Sequence, residues 1–255
     1  MELIAPLLDV AEGAFLAGAI VFLRIGGAMA LLPAFGELTL SVRVKLGLAL
    51  ALTVIVAPVV AREVAMPGWD SVLPLVGTEA AIGLVFGLIL RLLVLTLQIA
   101  GTIAAQSTSL AQLFGGASAE PLPAIGHLLV VSGLALVAMT DLHLRLVETL
   151  IASYDLFPPG TLLPSGELAD LGVAHVARAF SLAFTLAAPF VIGALVYNLA
   201  LGAINRAMPQ LMVAFVGAPA ITGLALALLA LVAPIALAIW AQVFADTLAN
   251  PFGAP

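Results

Sequence analysis

Two uncharged apolar runs, Ala179 to Ile204 and Ala207 to Ala245, meet at a short polar island, Gly202-Ala203-Ile204-Asn205-Arg206-Ala207-Met208-Pro209-Gln210. About 20 apolar residues cross the hydrocarbon of a bilayer, so each run is long enough to span one. The island reads as the joint between two membrane elements. The downstream run has room for one tilted helix and a spare segment, or for a hairpin bent near Pro219 or Pro234.

The rest of the chain agrees. Of 255 residues, 64% are hydrophobic and 9% charged, and the mean hydropathy is +1.27. Soluble domains carry charge on about a quarter of their residues. An outer-membrane barrel would alternate apolar and polar positions in segments of about ten residues, whereas these runs are apolar on every face. Helices satisfy their own backbone groups in lipid, so the runs are expected to be helical. A net charge of −6 with eight Lys and Arg residues leaves no basic surface for nucleic acid. The absence of cysteine removes disulfides, thiolate catalysis and Cys-ligated metals. Residues Met1 to Gly13 carry Glu2, Asp9 and Glu12 and no basic residue, unlike a cleaved signal peptide, so the first apolar segment is read as retained.

Six hydrophobic segments are expected, at about Phe15–Leu32, Leu46–Val60, Leu75–Ala105, Ile125–Ile151, Phe180–Ile204 and Leu211–Phe244. Pro33 stops the first, because its ring removes a backbone donor. Gln106 to Pro123 is read as a Gly/Ser/Pro-rich loop that keeps apolar anchors at Leu110, Leu113 and Phe114. The fourth segment carries Asp141, His143, Arg145 and Glu148, which makes its second half amphipathic. Pro158-Pro159-Gly160 and Leu163-Pro164-Ser165-Gly166 mark the longest polar linker. Glycines and prolines inside apolar blocks, among them Gly26, Pro58, Gly101, Pro189 and Pro234, imply broken helices and tight contacts. Basic residues are too few, and too many of them intramembrane, to orient the chain by charge.

Arg24, Glu79, Arg91 and Arg206 lie in or at the ends of apolar segments, where a charge costs about 2.5 to 3.5 kcal/mol on insertion scales. Such groups are expected to face a polar path or an inter-subunit contact, or else to snorkel to the interface or pair with a carboxylate. Glu79 and Arg91 lie on different faces of one helix, roughly 18 Å apart. Asp141 and His143, with His127 and His175 elsewhere, match no usual metal-site spacing. Ser107 or Ser109 with His127 lacks a third orienting group and a G-x-S-x-G elbow, and is read as helix-end capping. Gly83-Leu84-Val85-Phe86-Gly87 is a G-x-x-x-G tract that lets another helix backbone approach closely.

Several blocks together resemble one family. Phe22-Leu23-Arg24-Ile25-Gly26 with Pro33 and Gly36, then Ser41-Val42-Arg43-Val44-Lys45-Leu46-Gly47-Leu48-Ala49, is similar to the N-terminal signature of the FliR family of flagellar type III export-gate proteins. Glu79 with Gly83 and Gly87, Asp141-Leu142-His143, Ser153-Tyr154, Pro159-Gly160 and Ala188-Pro189 follow in the family's order. The strongest block is Gly202 to Arg206, Pro209-Gln210, Val213, Phe215-Val216-Gly217 and Pro219. The chain departs from the family at Met212, where Asn is frequent, at Ala214, where aromatics are, and at Phe114 to Pro121, which lacks the usual Asp-Pro.

The resemblance implies an all-α membrane subunit of a helical multi-subunit export gate, needing no cofactor or metal and without enzymatic activity. Its implied partners are FliP-like and FliQ-like subunits, with FlhB-like and FlhA-like export proteins nearby and unfolded flagellar components as cargo. It further implies a FliP-like part over residues 1–157, a linker over 158–178 and a FliQ-like hairpin over 179–255, all in the bacterial cytoplasmic membrane at the flagellar basal body. The Gln106 to Pro123 loop is then the plug. Leu110, Leu113 and Phe114 fill the closed pore, Gly115-Gly116 lets the loop swing aside, and Pro121 lies near its end. Arg24, Gly26, Pro33, Arg43, Lys45, Glu79, Gly83, Gly87, Pro189, Gly202, Arg206, Pro209, Gln210 and Gly217 are implied in assembly or buried polar contacts, with the Gly-rich faces serving neighbouring subunits. An injectisome counterpart is the near alternative. A six-helix small-solute transporter would favour inverted repeats, and none stands out. An intramembrane hydrolase lacks a nucleophile and base.

Overall fold

A computed structural model describes residues 5–32, 41–61, 72–109, 124–161, 164–208 and 213–253. They form seven helices: α1 (Ala5–Leu31), α2 (Val42–Val60), α3 (Val72–Ser109), α4 (Ala124–Ala138), α5 (Leu142–Leu156), α6 (Ser165–Ala207) and α7 (Val213–Ala249). Five contain stretches long and apolar enough to cross a membrane: Gly13–Leu31, Val42–Val60, Leu73–Thr108, Gly166–Ala207 and Pro219–Ala249. The protein is an all-α multi-pass membrane protein.

Three expectations need correcting. The prolines do not break the helices that hold them: α2 runs through Pro58, α6 through Pro189, and α7 through both Pro219 and Pro234. A proline forfeits one backbone bond, and in a membrane helix neighbouring helices and local adjustment make that tolerable. The downstream run is thus one helix of 37 residues, neither bent into a hairpin nor divided into a span and a spare segment. The break that does occur, at residues 139–141, splits the expected fourth segment into α4 and α5 without any proline. There Asp141 takes a left-handed conformation, φ 55° and ψ 34°, which Asp tolerates better than most side chains. Finally, helix extends into segments read as loop and linker, because α3 continues to Ser109 and α6 begins at Ser165.

Two compact units divide the chain. The first comprises Met1–Leu92, Ala138–His175 and Ala245–Pro255. In it α1 packs on α2 and α2 on α5, while α3 supplies Ile82, Phe86, Ile89 and Leu90 to the core. α5 is the amphipathic helix its sequence suggests, with Leu146, Leu150, Ser153 and Tyr154 buried on one face and Arg145, Glu148 and Asp155 exposed. Thr149 donates to the Leu248 carbonyl at 2.9 Å, and the edge of Phe157 meets Phe252 at 4.8 Å between centroids. His175 is buried, with Nε2 3.2 Å from the Pro251 carbonyl oxygen; that acceptor requires the proton on Nε2.

The second unit comprises Leu93–Val137 and Val176–Phe244. α3 and α4 meet at Gly101 and Gly126, where a Cβ on Gly101 would fall on the Gly126 backbone. Trp240, fully buried, donates its indole N–H to the Leu93 carbonyl at 2.7 Å, and its ring lies over Gly133. Leu93 keeps its helical place while lending that carbonyl, so a buried indole donor is satisfied without a polar side chain.

Candidate assembly and gate site

Glu79, Gly83 and Gly87 recur every four residues and so form one row on α3. That row faces α1. A Cβ on Gly83 would collide with the Arg24 carbonyl, one on Gly87 would lie 2.5 Å from the Ala28 carbonyl, and one on Gly27 of α1 would lie 2.7 Å from the Ala80 carbonyl. The glycines thus bring two backbones into contact, and the Gly83 and Gly87 contact is internal to this chain rather than with a neighbouring subunit. Its physical reason is that α1 already fills the space that the tract opens.

Close approach of the helices delivers Arg24 to Glu79. Nε donates to Oε2 at 2.8 Å and Nη2 to Oε1 at 2.9 Å, a two-pronged fork between side chains that are 1% and 0% exposed. Nη1 donates to Ser153 Oγ at 3.1 Å and Nη2 to the Phe157 carbonyl at 2.8 Å. Ser153 in turn donates to the Leu150 carbonyl at 2.6 Å. The Tyr154 ring lies under the guanidinium, 3.7 Å from Cζ to its centroid. Four hydrogen bonds, a counter-ion and an aromatic face therefore offset the desolvation of one arginine. Burial chiefly pushes the Tyr154 phenol above its ordinary value, so the ring stays neutral. The neighbouring Glu79 carboxylate pushes it the same way, against the opposing pull of the Arg24 charge.

The arrangement fastens the start of α3 and the C-terminal end of α5 to the C-terminal third of α1. Ser153, Tyr154 and the Phe157 carbonyl were not among the expected assembly residues. The Ser153-Tyr154 pair was a visible motif, but its position 129 residues from Arg24 hid the contact.

Other expected residues fall elsewhere. Arg43 and Lys45 stay at the surface or half-buried in the first turn of α2. Gly26 meets only Phe22, at 4.0 Å, and Gly202 has open space where a Cβ would be. Pro189 is half-buried within α6, and Arg206 is exposed in its last turn, where a cation complements the helix dipole. Gly217 is buried in the α6–α7 pair: Tyr197 donates to its carbonyl at 2.6 Å, and a Cβ there would lie 3.3 Å from Leu201. Tyr197 was missed by sequence reasoning, although a lone phenol inside an apolar run needs an acceptor. Gln106 sits in α3 rather than in a loop, since the helix continues past it; Ser107, expected as a loop serine capping a helix end, lies in the last turn of the same helix and donates to the Ala104 carbonyl at 2.8 Å. Pro33, Leu110, Leu113, Phe114, Gly115, Gly116, Pro121, Pro209 and Gln210 lie outside the described residues.

Fold and site together define a multi-pass helical membrane protein whose buried polar groups and glycines hold helices to one another. The model of the family "Bacterial export proteins, family 1" matches residues 15–247. The chain is 37% identical over 218 residues to the flagellar biosynthetic protein FliR of Caulobacter vibrioides, covering 84% of this chain and 86% of that one. It is 27% identical over 207 residues to FliR of Bacillus subtilis, covering 78% and 79%, and 28% identical over 221 residues to FliR of Escherichia coli, covering 84% and 82%. The chain belongs to this bacterial export family, and is a membrane-embedded component of the flagellar export apparatus.

Proposed function

We propose that this chain is a non-enzymatic gate subunit, which builds with FliP-like and FliQ-like subunits the channel that passes unfolded flagellar components out of the cytoplasm. It sits in the cytoplasmic membrane at the basal body, with FlhB-like and FlhA-like proteins beside it. The FliP-like part is residues 1–157, the linker 158–178, and the FliQ-like hairpin 179–255. Leu110 to Gly116 supplies the plug.

One observation carries the assembly reading: apolar surface outruns the bilayer. α3, α6 and α7 have 38, 43 and 37 residues, roughly 55 to 65 Å each at 1.5 Å per residue, against about 30 Å of hydrocarbon. On α6 the exposed large apolar side chains run from Val173 through Phe180, Phe184, Ile192 and Leu199 to Ile204, roughly 46 Å along the axis. Lipid tails cover about two-thirds of that without steep tilt. Partner helices of similar character cover the remainder.

The test is purification of the tagged chain from cells that make the candidate partners. Stable co-purification of FliP-like and FliQ-like chains is expected, and recovery of a solitary monomer overturns the reading. For the plug, deletion of Leu110 to Gly116 is expected to raise ion leakage through the assembled complex; unchanged leakage rejects it.

A further inference from the structure

The exposed face of α3 changes character along its length. Leu84 and Leu88 continue it as an apolar strip, but from one turn later the same face carries Arg91, Gln98, Thr102 and Gln106, at spacings of seven, four and four. Gln98 and Gln106 are exposed and Thr102 half-exposed. This is the middle and end of the apolar stretch Leu73–Thr108, in which polar side chains would otherwise be rare. Among the described residues no carboxylate pairs with Arg91. An open groove of about 370 Å³ runs beside the stripe, lined by Leu95, Gln98, Ile99, Thr102 and Ile103.

A lone polar group in a membrane helix can be met by one partner side chain. Thr102 donates to the Gln98 carbonyl at 2.8 Å, but the Arg91 guanidinium and the side-chain amides of Gln98 and Gln106, spread over roughly 22 Å of the axis, need further donors and acceptors, which water supplies and lipid does not. We infer that this stripe of α3 forms part of the wall of a water-filled conduit, along which an extended polypeptide moves. The inference rests on the gate reading and deepens it. The chemistry of the wall fits cargo of no fixed sequence: amide and hydroxyl groups exchange hydrogen bonds with any peptide backbone, Leu95, Ile99 and Ile103 tolerate apolar side chains, and between residues 92 and 109 no charge selects a sign. Arg91 marks the level at which the conduit begins on this face. The stripe ends where residues 110–123 follow.

Because the chain has no cysteine, single cysteines report without background from this subunit. Gln98→Cys, Thr102→Cys, Gln106→Cys and, as the apolar control one turn before the stripe, Leu88→Cys are each introduced into the complex in membranes and treated with a cationic, membrane-impermeant methanethiosulfonate. Reaction at 98, 102 and 106 at least ten-fold faster than at 88 is expected, with at least five-fold protection when an export substrate is stalled in the complex. Rates equal to that at 88, or rates that the stalled substrate leaves unchanged, overturn the inference. Hydrogen–deuterium exchange of the unsubstituted complex gives a second measure: peptides over 95–106 exchange faster than those over 80–90, and the reverse order overturns it. Recovery of the chain without partners is a different result, and fails the gate reading itself.

Discussion

The carbonyl of Arg24 occupies the space where a side chain on Gly83 would be, and four residues before Gly83 the Glu79 carboxylate grips the guanidinium of the same arginine. Backbone contact and ion pair depend on one another, because the fork closes only when α1 and α3 touch.

Gly83→Ala forces the two backbones apart by its methyl group and costs about 1–3 kcal/mol as overpacking, with further loss as the fork opens. Gly26→Ala, which meets only the distant Phe22 ring, is expected to be near neutral. Chain abundance in membranes and thermal unfolding in detergent separate the two; equal behaviour refutes the close-contact role of Gly83.

Removing one partner of the fork leaves a buried charge without compensation. Arg24→Leu or Glu79→Leu is expected to cost about 3–5 kcal/mol, while the double change to leucines costs less than either alone. A double-mutant cycle on detergent unfolding checks this, and additive losses would show that the pair is not coupled.

Tyr197 holds the α6–α7 pair through one hydrogen bond to the Gly217 carbonyl. Tyr197→Phe keeps the ring and loses about 1 kcal/mol. Gly217→Val adds a branched side chain against Leu201 and Tyr197 and is expected to lose more. Melting of the purified protein measures both, and a Tyr197→Phe protein as stable as the parent excludes the bond as a contributor.

Legibility in the sequence followed the range of the forces involved. The cost of charge in hydrocarbon is local, so Arg24 and Glu79 stood out as buried polar residues, and the polar positions of α5 revealed its amphipathic face. Which groups would meet was not legible. Arg24 finds partners 55, 129 and 133 positions away, and nothing near it in sequence names them. The Gly83 and Gly87 tract announced a close helix contact but not with which helix, and a partner in the same chain took the place expected for another subunit. Prolines misled because their cost is one hydrogen bond, small beside the backbone satisfaction that a continuous helix secures in lipid. The stop at Asp141 was hidden for another reason: a left-handed backbone at one non-glycine residue leaves no pattern in the residues around it.

That left-handed residue yields the last expectation. Asp141 opens α5, its carbonyl accepting from Leu144 at 3.0 Å and Arg145 at 3.2 Å, yet its side chain caps no helix N–H and is exposed. The side chain therefore contributes little there, and a Cβ at positive φ costs about 1 kcal/mol or more. Asp141→Gly removes that cost without disturbing the break, and although glycine also loosens the unfolded chain, a stability equal to or up to about 1 kcal/mol above the parent is expected. Asp141→Val, branched at Cβ, is expected to be destabilised by about 1–3 kcal/mol. Unfolding of the three proteins side by side decides the matter: a glycine variant markedly less stable than the parent would mean that the carboxylate, rather than the backbone turn, is what the α4–α5 break requires.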